Sequence, residues 1–121
     1  MIIQHINVVN PEDIAITIIT VEEQLRGRFN VIRKASSSDT LLLAYSKLEV
    51  TLEFFKNVRS LGFDHHAINF YQDLIRQRIR IGTQDLRIAA ITLSVDGILV
   101  TRNRKDFEKV PNLRLEDWTV S

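Results

Sequence analysis

The segment DLRIAAITLSVDGILVTRNRKDF, residues 85–107, carries the alternation from which the fold can be read. An apolar run of helical length ends at Gly97, a short β-branched run (ILVT) follows, and a polar knot from Thr101 to Asp106 closes it. A helix leading into a buried strand is the repeating unit of mainly parallel sheets covered by helices on both faces. The pattern predicts a helix from about Gln84 to Val95, capped by Thr83, and then a strand turned in by Gly97. Two questions come with it: why an apolar helix opens on the carboxylate of Asp85, and why a buried strand ends toward Asn103 and Asp106.

The same alternation extends upstream. IAITII, residues 14–19, has no polar alternation beyond Thr17 and reads as a strand buried on both faces, entered through the turn NPED. Thr20 with Glu23 reads as a capping box that starts a helix, with Val21, Leu25, Phe29 and Ile32 as its apolar stripe. Gly27 lies inside that helix at a cost of roughly 1 kcal/mol relative to Ala. SSSD, residues 36–39, is a linker ending in an N-cap candidate. The longest periodic segment follows, with Leu41, Leu42, Tyr45, Leu48, Leu52 and Phe55 on one side. LGF (61–63) suits a short edge strand, and Asp64 caps a helix expected over about 65–80 that carries Ala67, Phe70, Tyr71 and Leu74. Pro111 and Asn112 lead to a last strand, LRLED. The expectation is one α/β domain over residues 1–121, a mainly parallel sheet flanked by helices in three layers.

Composition narrows the function. A chain of 121 residues holds one domain with a real core, and 45% hydrophobic with 26% charged residues is ordinary for a soluble globular protein. A net charge of +1 leaves nucleic-acid binding to a local patch. The absence of cysteine excludes disulfides, thiolate catalysis and zinc–thiolate sites. No apolar run reaches the length of a membrane helix, and MIIQHINVVN lacks the basic start and cleavage site of a signal peptide. A cytoplasmic protein without membrane contact is expected.

In parallel sheets, ligands bind outside the carboxyl ends of the strands. Glu23 follows the first strand, Asp85 opens a helix at the positive end of its dipole, and Asn103 and Asp106 follow a later strand. Their oxygens, gathered at one sheet edge, would suit a hard divalent cation such as Mg²⁺ or Mn²⁺. Each residue also has a plain local use as a cap, a turn or a charge at a helix start. Glu22 reads as a solvated neighbour. His65 and His66, adjacent on one helix, cannot form an i, i+4 metal pair. Arg26, Arg28, Arg76, Arg78, Arg80, Arg87, Arg102 and Arg104 could meet phosphates or simply form a solvated face.

Together these residues resemble the PIN-domain family of the VapC toxin type. ITIITVEEQLRG resembles the family segment in which an acid stands four places before a Gly. TQDLRIAAITLSVDGILVTRNRKDFEKVPNLRLEDW resembles the family's C-terminal half: an Asp before an IAA helix, then a strand ending in Thr-x-Asn or Thr-x-Asp ahead of an Asp-Phe or His-Phe pair. The resemblance covers residues 14–118. It implies a Mg²⁺- or Mn²⁺-dependent endoribonuclease whose RNA substrate is cleaved by metal-bound water, a cognate antitoxin that restrains it, and a homodimer. Carried over, Glu23 matches the second family acid, Asp85 the third and Asn103 the variable fourth position, these three as metal ligands; Asp106 is an adjacent supporting group. The family's first strand, which ends in Asp-Thr-Asn or Asp-Thr-Asp, has no match here. An N-terminally truncated domain is therefore expected. Residues 1–9 would be either the remnant of a helix or a substitute central strand with Gln4 near the place of the first Asp. Two functions follow: a ribonuclease toxin weakened by the loss of its first acidic ligand, or a catalytically inactive PIN-like protein acting through dimerisation or antitoxin binding.

Overall fold

The computed structural model describes residues 14–117. The expectations for residues 1–9 lie outside them. The order is β1 (Ala15–Thr17), α1 (Ile18–Lys34), α2 (Ser38–Lys56), β2 (Arg59–Leu61), α3 (His65–Arg76), α4 (Thr83–Ser94), β3 (Ile98–Val100), α5 (Arg104–Phe107) and β4 (Arg114–Glu116). The α/β class and the parallel pairing are as expected. β1 runs parallel to β2, with Ala15 opposite Arg59 and Thr17 opposite Leu61; β3 runs parallel to β4, with Ile98 opposite Arg114 and Val100 opposite Glu116. Among the described residues the strands form two two-stranded sheets rather than one continuous sheet.

The core is built around α4. Leu86, Ile88, Ala89, Ala90, Ile91 and Thr92 are all buried, so this helix is apolar on nearly every side, the mark of a central element. Ala67 on α3 and Ala89 and Ala90 on α4 are fully inaccessible, and their small side chains let the two helices pack closely. Phe107, Val110, Leu74 and Ile19 complete the buried cluster. Thr92 satisfies its buried hydroxyl by donating to the Ile88 carbonyl at 2.8 Å.

Several element ends differ from the sequence expectation, each for a local reason. The first strand stops at Thr17, not Ile19, because the Thr17 Oγ1 accepts from the Thr20 N–H at 3.1 Å and caps α1 from there. Thr20 is thus inside the helix, and Glu23 completes no capping box. The cap of α2 is Ser37, in a reciprocal box with Thr40, rather than Asp39. Gly82, not Thr83, is the N-cap residue of α4, and no side chain bonds there. Asp64 caps α3 as read, accepting from the Ala67 N–H at 3.0 Å. That helix ends at Arg76, two residues before Arg78 enters the left-handed region at φ 57°. The last-strand and edge-strand expectations shift to 114–116 and 59–61.

The larger correction concerns α2. Its buried residues are Ala44 and Thr51, with Leu48 and Phe55 partly covered along the same stripe. Leu41, Leu42, Tyr45 and Leu52, read from the sequence as core, are exposed, as are Leu43, Val50 and Phe54. Leu42 is 73% and Val50 70% accessible. A helix apolar on two faces can bury only one of them inside its own domain.

Candidate functional site

The site forms where the α4 N-terminus meets the end of β3. Asp85 lies in the first turn of α4 and is partly buried. A Cβ placed on Gly82 would sit 3.8 Å from Asp85 Oδ2, so the carboxylate lies over the start of its own helix. Beyond β3, the Asn103 N–H donates to Thr101 Oγ1 at 3.0 Å, which turns the chain into α5. Asn103 is then the N-cap residue of α5, and its Nδ2 donates to Asp106 Oδ2 at 3.0 Å. Asp106 also lies 3.9 Å from Lys109 Nζ.

Electrostatics connect these groups. Burial, and then the negative charge of Asp106, push the Asp85 carboxyl above the usual carboxylate range. The helix dipole acts in the opposite direction and does not prevail. Two carboxylates held near each other with an amide oxygen form an oxygen-only donor set, and a cation beside them would relieve their repulsion. The set fits a hard divalent ion in chemistry. In number it is sparse: among the described residues no group of three or more His, Cys, Asp or Glu could hold a metal ion. Mg²⁺ is commonly held by one or two carboxylates plus waters and substrate phosphates, so sparseness weakens the fit without removing it.

Of the four residues expected from the sequence, Asn103 and Asp106 are joined by a hydrogen bond, and Asp85 feels the charge of Asp106. Glu23 is exposed and lines a separate shallow depression with Gln24, Gly27, Arg28 and Val31. Among the described residues no hydrogen bond or ion pair joins it to the other three. The α1 acid that reaches α4 is Glu22, whose Oε1 accepts from Gln84 Nε2 at 2.9 Å, one residue before Asp85. Gln84 Oε1 in turn accepts from Arg87 Nη1 at 2.9 Å, and Arg87 lies over the Tyr71 ring, 5.7 Å from its centroid. Glu22, read from the sequence as a solvated neighbour, is exposed; its partner Gln84 is 62 residues away, and it also pairs locally with Arg26, i, i+4, at 2.8 Å. Other arginines also have local partners: Arg28 donates to Thr51 at 3.0 Å, Arg76 pairs with Asp73, and Arg104 lies 3.5 Å from Glu108. His65 and His66 are exposed at the start of α3. No helix among the described residues is long and apolar enough to cross a membrane.

Comparison with known proteins gives this geometry a context. No family model matches the chain. It is 31% identical to the tRNA(fMet)-specific endonuclease VapC of Salmonella typhimurium over 118 residues, covering 84% of this chain and 89% of that protein. The crystal structure of VapBC2 from Rickettsia felis, bound to a DNA fragment from its promoter, superposes with a TM-score of 0.64 at 29% identity, covering 86% of this chain and 74% of that one. FitAcB from Neisseria gonorrhoeae shares the fold, with a TM-score of 0.71 at 19% identity over 93% of this chain and 81% of its own.

Proposed function

The chain belongs to the VapC ribonuclease family of toxin–antitoxin systems, and from that premise we propose that it is a divalent-cation-dependent endoribonuclease of reduced strength. The observation that carries the reading is the Asp85–Asn103–Asp106 cluster, with an Asp85 carboxyl pushed upward by burial and by its acidic neighbour. The carboxylates of Asp85 and Asp106 and the Asn103 side-chain oxygen would hold Mg²⁺ or Mn²⁺. Such an ion, when bound, supplies Lewis acidity toward a phosphodiester and the attacking water. Asn103 fixes Asp106 through its amide N–H, and Glu22 holds Gln84 beside Asp85. Glu23 enters the set from the resemblance alone. Two gathered carboxylates imply weak cation affinity and slow cleavage.

The partners we propose are an RNA substrate, a second copy of the chain and an antitoxin. Support for the protein partners comes from the exposed apolar residues of α2, because contiguous apolar surface commonly marks an interaction site. One relative in the comparison was crystallised as a VapBC complex.

The test is RNA cleavage by the purified chain with Mg²⁺ or Mn²⁺, with and without chelator, beside Asp85→Asn, Glu22→Gln and Glu23→Gln. Cation-dependent cleavage abolished by Asp85→Asn is expected. Cleavage indifferent to chelator or to Asp85→Asn would overturn the assignment. The shortage of a third carboxylate favours one second reading, an inactive protein that acts through dimerisation or antitoxin binding. Silence at every Mn²⁺ concentration, with antitoxin binding intact, would select it.

A further inference from the structure

The turn after α5 sets a cation against the acidic cluster. Phe107 and Val110 are buried in the core, and their burial fixes the backbone between them. The turn closes tightly: the Lys109 N–H donates to the Asp106 carbonyl at 3.1 Å, and the Val110 N–H to the Phe107 carbonyl at 3.1 Å. Lys109 thus stands on an anchored turn three residues past Asp106. Its Nζ lies 3.9 Å from Asp106 Oδ1 and donates to the Arg80 carbonyl at 3.4 Å. Arg80 belongs to the connection between α3 and α4, two residues before Gly82, the N-cap of the helix that carries Asp85. One ammonium group therefore reaches from Asp106 to the segment that delivers Asp85. Among the described residues Lys109 is the one basic side chain ion-paired with a member of the cluster; Arg104, its neighbour on α5, pairs with Glu108 instead. Both oxygens of Asp106 are then engaged, Oδ2 by the Asn103 amide and Oδ1 by the ammonium. The two engagements differ in strength. The amide bond is of ordinary length, whereas 3.9 Å is too long for a direct hydrogen bond. The Lys109 side chain is 49% exposed, and an ion pair this open is weak and readily parted.

We propose that Lys109 is the resident counter-ion of the Asp85–Asn103–Asp106 cluster and competes with a divalent cation for Asp106 Oδ1. This role rests on the cation-binding reading of the cluster and adds what sets its affinity. With the ammonium in place, part of the Asp106 charge is already neutralised, so a cation gains less from the carboxylates. The two positive charges also repel each other across one oxygen. The long, flexible lysine stem lets the ammonium move to solvent when a cation takes its place, at the cost of the Arg80 contact. Asn103 keeps Asp106 oriented throughout, because its bond is to the other oxygen.

Mn²⁺ titration of the full chain by calorimetry tests the role. Lys109→Met keeps the bulk of the stem and removes the charge. It should tighten Mn²⁺ binding by about tenfold, the size expected for a unit charge a few Å away in water-like surroundings. Lys109→Arg keeps the charge and should bind like the parent chain. Thermal unfolding without metal should be nearly the same for all three. Unchanged or weaker Mn²⁺ binding by Lys109→Met overturns the proposal; combined with a lowered Tm, that result would make Lys109 only a tether between the turn and the α3–α4 connection. Asp106→Asn separates this role from the reading beneath it. It should weaken Mn²⁺ binding and erase the gain made by Lys109→Met. Mn²⁺ binding that Asp106→Asn leaves unchanged, or no binding by either the parent or Lys109→Met, would overturn the cation site and this role with it. Binding weakened by Asp106→Asn but not strengthened by Lys109→Met would overturn the role of Lys109 alone.

Discussion

Replacing Thr17 by Val tests where α1 begins, and with it the phase that places Glu22 rather than Glu23 beside α4. Thr17 is buried, with 7% of its surface accessible. Its Oγ1 accepts from the Thr20 N–H at 3.1 Å and lies 3.2 Å from Thr20 Oγ1. Val keeps the shape and removes the acceptor. Loss of an N-cap typically costs about 1 kcal/mol, within a range of roughly 0.5–2. The Thr20 N–H would be orphaned at a partly buried position, which moves the cost toward the upper end of that range. The added methyl recovers at most about 0.8 kcal/mol through burial. The net expectation is a loss of about 1 kcal/mol, a Tm drop of roughly 3–6 °C for a domain of this size. Thr20→Val removes only the contact between the two hydroxyls and should cost less than about 0.5 kcal/mol. Urea titrations with unchanged slopes would measure both, and Thr17→Ser should restore most of the loss. The reverse order, with Thr20→Val costly and Thr17→Val neutral, would show that Thr20 and Glu23 cap the helix after all.

The raised Asp85 carboxyl has a pH consequence. The folded state holds its proton above the ordinary 3.8, so this group's contribution to stability is lost as pH rises from that value through the raised one. Asp85→Asn should flatten that part of the stability profile, measured by thermal unfolding across the acid range, while removing RNA cleavage; a profile identical to that of the parent chain would contradict the stated burial and repulsion. Ile91→Ala, at a fully inaccessible core position, should cost about 2–5 kcal/mol in chemical denaturation. Leu42→Ser with Val50→Ser, both on the exposed side of α2, should leave unfolding nearly unchanged and shift sedimentation toward monomer; unchanged association would place the contact on another face.

The sequence by itself determined the order and kind of the described elements other than the short α5, which it read only as a polar stretch after the strand. The apolar content of 86–92, the Asp64 cap and the β-branched run at 98–100 are local signals, and local backbone and side-chain preferences read them correctly. It also brought forward Asp85, Asn103 and Asp106, because a carboxylate at a helix start and polar residues just past a strand are visible without any distant contact. Tertiary structure decided what depends on which surfaces meet. Leu41, Leu42, Tyr45 and Leu52 have core spacing, yet α3 and α4 supply the core and the close-packed alanines, and α2 turns only Ala44, Leu48, Thr51 and Phe55 toward the domain. The choice between Glu22 and Glu23 was likewise not local. Adjacent helical residues point about 100° apart, and the cap at Thr17, together with Gln84 arriving from 62 residues away, made Glu22 the acid that meets α4. Pairing in two separate sheets among the described residues follows the same logic, since strand partners are fixed by packing across the chain and no three-residue strand encodes its neighbour.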